Sequence, residues 1–212
     1  MRGVDFTIEP ASFVSFIGPS GSGKSTLLNM IGCLDPPTAG RLFVAGADVT
    51  RLDRKKAADF RGANIGFVFQ DFNLIPVLTV YENVEYPLLM VQNRPVAERK
   101  KRVMAMLDAV GMADQAGKYP NLISGGQKQR VAVARALVTS AKLVLADEPT
   151  ANLDRETAGK VISLMKNMRD EFGTTFIFST HDQKLVSSVE TIFTIEDARL
   201  QQNATQGGAD HV

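Results

Sequence analysis

A chain of 212 residues, 44% apolar and 22% charged, suits one domain or one domain with an inserted subdomain, and its composition excludes general disorder. A formal net charge of +1 argues against a nucleic-acid surface, which carries a clear basic excess. With Cys33 as its one cysteine the chain forms no intrachain disulfide, which fits a reducing compartment; no apolar leader and no apolar run of about 18 residues is seen, so a cytoplasmic location is expected.

Ser12 to Ile17 is a short apolar run that stops at Gly18 and reads as a buried strand. Ser25 to Ile31 carries Leu27, Leu28 and Ile31 at helical spacing, so the order is strand, glycine loop, helix. Arg41 to Val49 is strand-like with Gly46 as punctuation, and Ile65 to Phe69 is another apolar strand candidate. From about Phe72 to Leu137 the pattern is helical: Val103, Met106, Leu107 and Val110 share a face after a break at Pro95, and Val131, Ala134, Leu137 and Val138 repeat that spacing. Strand candidates at Leu143 to Ala146 and Thr175 to Phe178 flank a helical stretch, Glu156 to Glu171, with Val161, Leu164, Met165 and Met168 on one face. Strands alternating with helices call for right-handed crossovers and a parallel sheet. The helical block interrupts that sheet. The expected division is therefore a core of about 1–71 and 141–200, an inserted α-helical subdomain of about 72–140, and a mobile tail over 201–212 in which His211 is silent. The basic run Arg99-Lys100-Lys101-Arg102 reads as a solvated helix face rather than a lipid contact.

Gly18-Pro19-Ser20-Gly21-Ser22-Gly23-Lys24-Ser25 fits G-x-x-x-x-G-K-[ST]. Glycines let main-chain N–H groups turn inward around phosphate oxygens, and the following helix offers its N-terminus to the same anion. In such a loop the lysine reaches the β- and γ-phosphates and the serine hydroxyl ligates Mg²⁺. A plain glycine-rich turn is the bland reading; the strand before and the helix after tell against it.

Leu143-Val144-Leu145-Ala146-Asp147-Glu148 supplies adjacent carboxylates at the end of an apolar strand. Alone this is an ordinary strand end. Paired with the phosphate loop, Asp147 serves the metal and Glu148 polarises an attacking water. Ser124-Gly125-Gly126-Gln127 precedes the helix Lys128 to Val138, with Ser124 placed as a cap or a phosphate ligand. That is either simple helix initiation or a second phosphate-binding surface, one that would serve a nucleotide bound to another chain.

Together Gly18–Thr26, Gln70, Ile123–Gln127, Leu143–Glu148, Ala151-Asn152-Leu153-Asp154 and His181 resemble the nucleotide-binding domain of an ABC transporter, from about residue 3 to 200. Phe69-Gln70-Asp71-Phe72-Asn73-Leu74-Ile75-Pro76, Leu78-Thr79-Val80-Tyr81-Glu82-Asn83-Val84 and Pro149–Asp154 resemble the bacterial lipoprotein-release and macrolide-export subgroup.

The resemblance implies an α/β P-loop NTPase with a mixed, mainly parallel sheet, an antiparallel β region and the inserted helical subdomain. It implies ATP and Mg²⁺ as ligands, held by Gly18, Pro19, Ser20, Gly21, Ser22, Gly23, Lys24, Ser25 and Thr26, with Ser25, Gln70 and Asp147 on the metal. Glu148, His181 and Gln70 would carry hydrolysis; Ser124, Gly125, Gly126 and Gln127 would close over the ATP of a partner subunit, and Asp154 would cross that interface. The implied partners are a second, head-to-tail copy and an integral membrane permease docked near Phe72 to Tyr86, which puts the protein peripherally on the inner face of the cell membrane. Where the family stacks adenine on an upstream aromatic residue, this sequence has no counterpart, and Phe6 lies too close to the loop to replace it. An adaptor of cell-envelope or division machinery is the alternative. A DNA-repair or translation ATPase is disfavoured by the neutral charge and by the lack of a coiled-coil insertion and a second cassette.

Overall fold

The structure is a computed structural model that describes residues 1, 3–180, 186 and 188–203. Its centre is β1 (Phe13–Ile17), where Phe13, Val14 and Phe16 are at most 1% exposed. A strand buried on both faces needs apolar residues at successive positions, which is why this run shows no alternation. The sheet has six strands in the order β4-β5-β6-β1-β7-β8. β4 (Ile65–Val68), β5 (Leu143–Asp147), β6 (Thr175–Thr180), β1 and β7 (Thr191–Glu196) run parallel, while β8 (Arg199–Asn203) returns antiparallel to β7. The register sets Ile17 opposite Thr180 and Asp147 opposite Ser179, so the carboxyl ends of β1, β6 and β5 finish level with one another.

Period-two alternation divides the core between the faces. Phe13, Val144, Ala146, Phe176 and Phe178 pack on one face with α3 (Val80–Met90), α4 (Val96–Ala109), α5 (Gly125–Leu137) and α6 (Arg155–Phe172). Val14, Phe16, Leu143, Leu145, Ile177 and Phe193 pack on the other with α1 (Lys24–Ile31). The helical block and the sheet therefore share one apolar cluster. Gly66 in β4 makes that contact close: a Cβ there would stand 2.4 Å from the Ala136 carbonyl oxygen, so α5 lies directly on the strand.

The strand-like stretch at 41–49 is a hairpin, β2 (Phe43–Val44) and β3 (Ala47–Asp48). Its turn residues Ala45 and Gly46 have φ of 49° and 81°, both positive as a tight two-residue hairpin requires. α2 (Arg54–Asn64) was not foreseen, because it has no fully buried residue and meets the core chiefly through the partly buried Phe60; its local signal is Asp53, whose side chain accepts from Lys56 N at 2.8 Å. β7 and β8 were also unforeseen. β8 takes Gln201 to Asn203 out of the expected tail, and the rest of that tail lies outside the described residues. Among the described residues no helix is long and apolar enough to cross a membrane.

Candidate nucleotide-binding and hydrolysis site

The phosphate loop connects β1 to α1. Gly18, Gly21 and Gly23 all have positive φ, at 149°, 77° and 108°. Only glycine fits at Gly18, where a Cβ would stand 2.2 Å from the Ile195 carbonyl oxygen. Gly23 is the N-cap of α1 and offers no side chain to the first helical N–H groups, and the first turn carries no acidic residue. Those N–H groups and the positive helix end are thus available to an anion. Lys24 donates from Nζ to the carbonyl oxygens of Gly18 at 2.8 Å and Pro19 at 3.0 Å, so its ammonium sits over the loop. The Ser22 hydroxyl is buried in the loop, with no hydrogen-bond partner among the described residues. Pro19, Ser20, Gly21, Ser25 and Thr26 are exposed along the mouth.

The Ser25 hydroxyl donates to Asp147 Oδ2 at 3.0 Å, which ties the first turn of α1 to the end of β5. The donor set suits a small hard cation such as Mg²⁺. The hydroxyl proton is committed to the carboxylate, which leaves the oxygen's lone pairs outward, and only oxygen atoms are offered. Asp147 Oδ1 accepts in turn from the Ser179 hydroxyl at 2.5 Å, and Ser179 Oγ accepts from Glu148 N at 3.1 Å. Glu148 sits at φ 46°, a left-handed conformation uncommon outside glycine, and is half-buried at the same strand end.

Gln70 follows β4 by two residues and is exposed. Its main chain is anchored rather than its side chain: Asn152 Nδ2 donates to the Gln70 carbonyl at 3.2 Å and to Asp71 Oδ1 at 2.8 Å. Arg135 on α5 secures the next turn, donating to the carbonyls of Phe72 at 2.8 Å and Asn73 at 2.5 Å. Phe72 and Asn73 are consecutive non-glycine residues at positive φ, 61° and 47°, so this turn is held against its local preference. Burial of Arg135 pulls its pKa below the ordinary value. Gln129, fully buried on α5, donates to the Pro149 carbonyl at 2.6 Å, one residue past Glu148.

Ser124 is the N-cap of α5. Its Oγ accepts from Gln127 N at 3.3 Å and its own N–H donates to Gln127 Oε1 at 2.9 Å, a reciprocal capping box. Gly126 is buried because a Cβ would meet Thr157 Cγ2 at 2.4 Å, so the glycine lets α5 approach the first turn of α6; Gly125 is half-buried beside Leu153. Asp154 caps α6, accepting from Glu156 N at 3.1 Å and Thr157 N at 3.0 Å, and the hydrogen bond with Thr157 holds its carboxyl below the ordinary range. None of the hydrogen bonds of Ser124, Gln127 or Asp154 reaches the phosphate loop. The loop, Asp147 and Glu148 are brought together within the chain; the Ser124–Gln127 and Asp154 elements are built locally, each as a helix cap. His181 lies outside the described residues. Phe6, partly buried, packs edge-on to Phe16 at 5.8 Å and tilted against Phe193 at 5.6 Å, on the side of the second core cluster.

The residues that sequence reading missed are Ser179, Gln129 and Arg135. Ser179 is a polar side chain among buried residues of β6, and Gln129 and Arg135 lie on a helix with several other polar residues. Only the first is a visible signal, and it does not say which distant main chain the side chain will meet.

The family model for ABC transporters matches residues 1–151. This chain belongs to the ABC transporter family. The lipoprotein-releasing system ATP-binding protein LolD 1 of Rhodopseudomonas palustris is 46% identical over 94% of this chain and 88% of its own length. The macrolide export ATP-binding/permease protein MacB of Brucella melitensis is 41% identical over 97% of this chain, which spans 32% of that longer protein. The dimeric post-hydrolysis structure of the ATP-binding cassette MJ0796 of Methanocaldococcus jannaschii, bound to ADP and Pi, superposes with a TM-score of 0.86 at 41% identity, covering 98% of this chain and 91% of that one. The ABC cassette described here is thus a P-loop ATPase whose relatives include lipoprotein-release and macrolide-export ATPases, and ATP hydrolysis in the service of transport is its activity.

Proposed function

We propose that this cassette binds Mg²⁺-ATP on the loop Gly18 to Thr26 and hydrolyses it as half of a head-to-tail dimer, driving a separate membrane permease. The observation that carries the reading is the bond from Ser25 to Asp147, with Glu148 next in the chain. It joins the two motifs that a P-loop ATPase needs in one crevice at the carboxyl ends of adjacent strands.

The main-chain N–H groups of the loop and α1 receive the phosphates, and Lys24 moves from its own loop carbonyls to the β- and γ-phosphate oxygens. Ser25, Asp147 and Gln70 would hold Mg²⁺, all through oxygen atoms. Bound there, the ion offsets negative charge on the phosphate oxygens. Glu148 accepts a proton from the attacking water, and Gln70 and His181 orient that water against the γ-phosphate.

Ser124, Gly125, Gly126 and Gln127 complete the site of the opposing copy. The α5 N-terminus, capped within the chain by Ser124, offers the positive end of a helix dipole there. Asp154 lies at the same interface. The dimeric MJ0796 cassette supports this arrangement.

The permease docks on the surface that runs from Phe72. A cleft lined by Asp71, Phe72, Leu74, Pro76, Pro120, Asn121 and Lys128 opens there, and Val77 and Tyr86 of the same stretch are exposed. MacB is an ATP-binding/permease protein in a single chain, which supports a permease as partner here. The complex it powers is an exporter or a lipoprotein-release system, and the cassette lies against the inner face of the membrane. The 72–140 helical block acts as the subdomain that transmits closure.

Steady-state phosphate release tests the reading. The wild type turns over ATP only with Mg²⁺, and Glu148→Gln retains nucleotide binding with turnover reduced at least about hundredfold. Hydrolysis unaffected by Glu148→Gln would overturn the role given to Glu148.

A further inference from the structure

We infer that Ser179 is a positioning residue of the hydrolytic site: one hydroxyl fixes both the carboxylate of Asp147 and the main chain of Glu148. The inference rests on the roles of Asp147 and Glu148 proposed above.

Ser179 lies in β6, opposite Asp147 on one side and Phe16 on the other, and is fully buried. The residues before it are Phe176, Ile177 and Phe178. A hydroxyl at the end of such a run is costly unless its hydrogen bonds are made. Burial in this sheet does not by itself guarantee that. The Ser15 hydroxyl in neighbouring β1 is equally buried and has no partner among the described residues. Ser179, by contrast, is engaged in both directions, donating to Asp147 Oδ1 at 2.5 Å and accepting from Glu148 N at 3.1 Å.

A serine hydroxyl has one proton, and here it is spent on the carboxylate. The terminal torsion of an aspartate is broad and two-fold, so a carboxylate held at one oxygen can still swing. Asp147 is held at both: Oδ1 by Ser179 and Oδ2 by Ser25. The plane of the carboxylate is therefore set, with Oδ2 kept on the side of the phosphate loop. The second bond acts on Glu148, whose φ of 46° is disfavoured for a side-chain-bearing residue. A partner for its N–H stabilises that conformation and so aims the glutamate. Groups that orient the immediate ligands of a metal commonly change its affinity by about ten- to a hundredfold when removed.

The test uses the full chain and compares Ser179→Ala, Ser179→Cys and Asp147→Asn. Cysteine preserves the shape but donates only weakly, so it separates hydrogen bonding from packing and stands in if the alanine variant fails to fold. Mn²⁺ binding to the protein–ADP complex is followed by loss of the free-ion electron paramagnetic resonance signal, and ADP affinity is measured separately in EDTA. Both Ser179 variants raise the Mn²⁺ dissociation constant about tenfold and leave ADP affinity in EDTA within about twofold. In the ATPase assay they lower kcat at saturating Mg²⁺ without a matching rise in KM for ATP. Wild-type Mn²⁺ affinity in Ser179→Cys overturns the inference. Wild-type affinity in Asp147→Asn overturns instead the metal role of Asp147 on which the inference stands.

Discussion

The hydroxyl of Ser25 reaches Asp147 Oδ2 across 3.0 Å, although 122 positions separate the two residues. The contact exists because β1 and β5 end level on either side of β6, so the first turn of α1 meets the end of β5. It joins the phosphate loop to a strand end that alone would be ordinary, and so makes one site of the two.

Lys24→Ala removes the ammonium that now rests on the Gly18 and Pro19 carbonyls. These bonds are within the loop, so the fold is expected to survive. ATP affinity is expected to fall about hundredfold or more, the scale of losing charge-assisted bonds to phosphate, as measured with a fluorescent ATP analogue beside an unchanged circular dichroism spectrum.

Gly66→Ala places a methyl 2.4 Å from the Ala136 carbonyl oxygen. Backbone cannot yield there as a flexible side chain would, so α5 must lift from β4. The expected destabilisation is about 1–3 kcal/mol, read as a lower urea midpoint at unchanged slope. A midpoint equal to the wild type would show that the helix is not seated as described.

Arg135→Lys keeps the charge but not the planar fork that spans the Phe72 and Asn73 carbonyls. One carbonyl loses its partner, and the two residues at positive φ lose part of what holds them. A loss of about 1–2 kcal/mol is expected, with faster proteolytic cleavage in the segment 71–78. Cleavage at the wild-type rate would count against Arg135 as the clamp on this turn.

Acid should loosen the helix starts together. Asp53, Glu82 and Asp154 each accept hydrogen bonds at the beginning of a helix, and these bonds hold all three carboxyls below their ordinary pKa. A depressed folded-state pKa contributes stability that is present above the unfolded value and lost as pH falls through the folded one. Stability from these caps is therefore full above about pH 5 and declines below about pH 4. The triple variant Asp53→Asn, Glu82→Gln, Asp154→Asn should show a shallower acid dependence of its urea midpoint than the wild type.

The parts of the fold and site that could be read from the sequence are those whose cause is local. The phosphate loop needs glycines at particular turns, and Asp147 and Glu148 need only the end of an apolar strand. Ser124 was legible as a cap because its partner, Gln127, is three residues away. α2 was not legible, since a helix that meets the core through little more than Phe60 leaves no apolar period to find. β7 and β8 were passed over because their turn, Asp197-Ala198, takes positive φ at 48° and 62° without the glycine that would mark it. The bonds from Asn152 to Gln70 and Asp71, and from Ser179 to Asp147, join positions brought together by sheet order. Neither local pattern nor spacing along the chain encodes such pairs.

Two features bear on whether the site is half of a larger one. Ser124 to Gln127 and Asp154 start helices whose exposed ends make no hydrogen bond to the chain's own phosphate loop, while that loop is open along Pro19 to Gly21. Slowing hydrolysis while keeping ATP bound should trap the closed pair. The direct measurement is gel filtration with light scattering of Glu148→Gln in the presence of Mg²⁺-ATP, with the nucleotide-free protein as reference. The proposed mechanism gives a stable dimer with ATP and a monomer without it; a monomer under both conditions, with ATP shown to be bound, would contradict it.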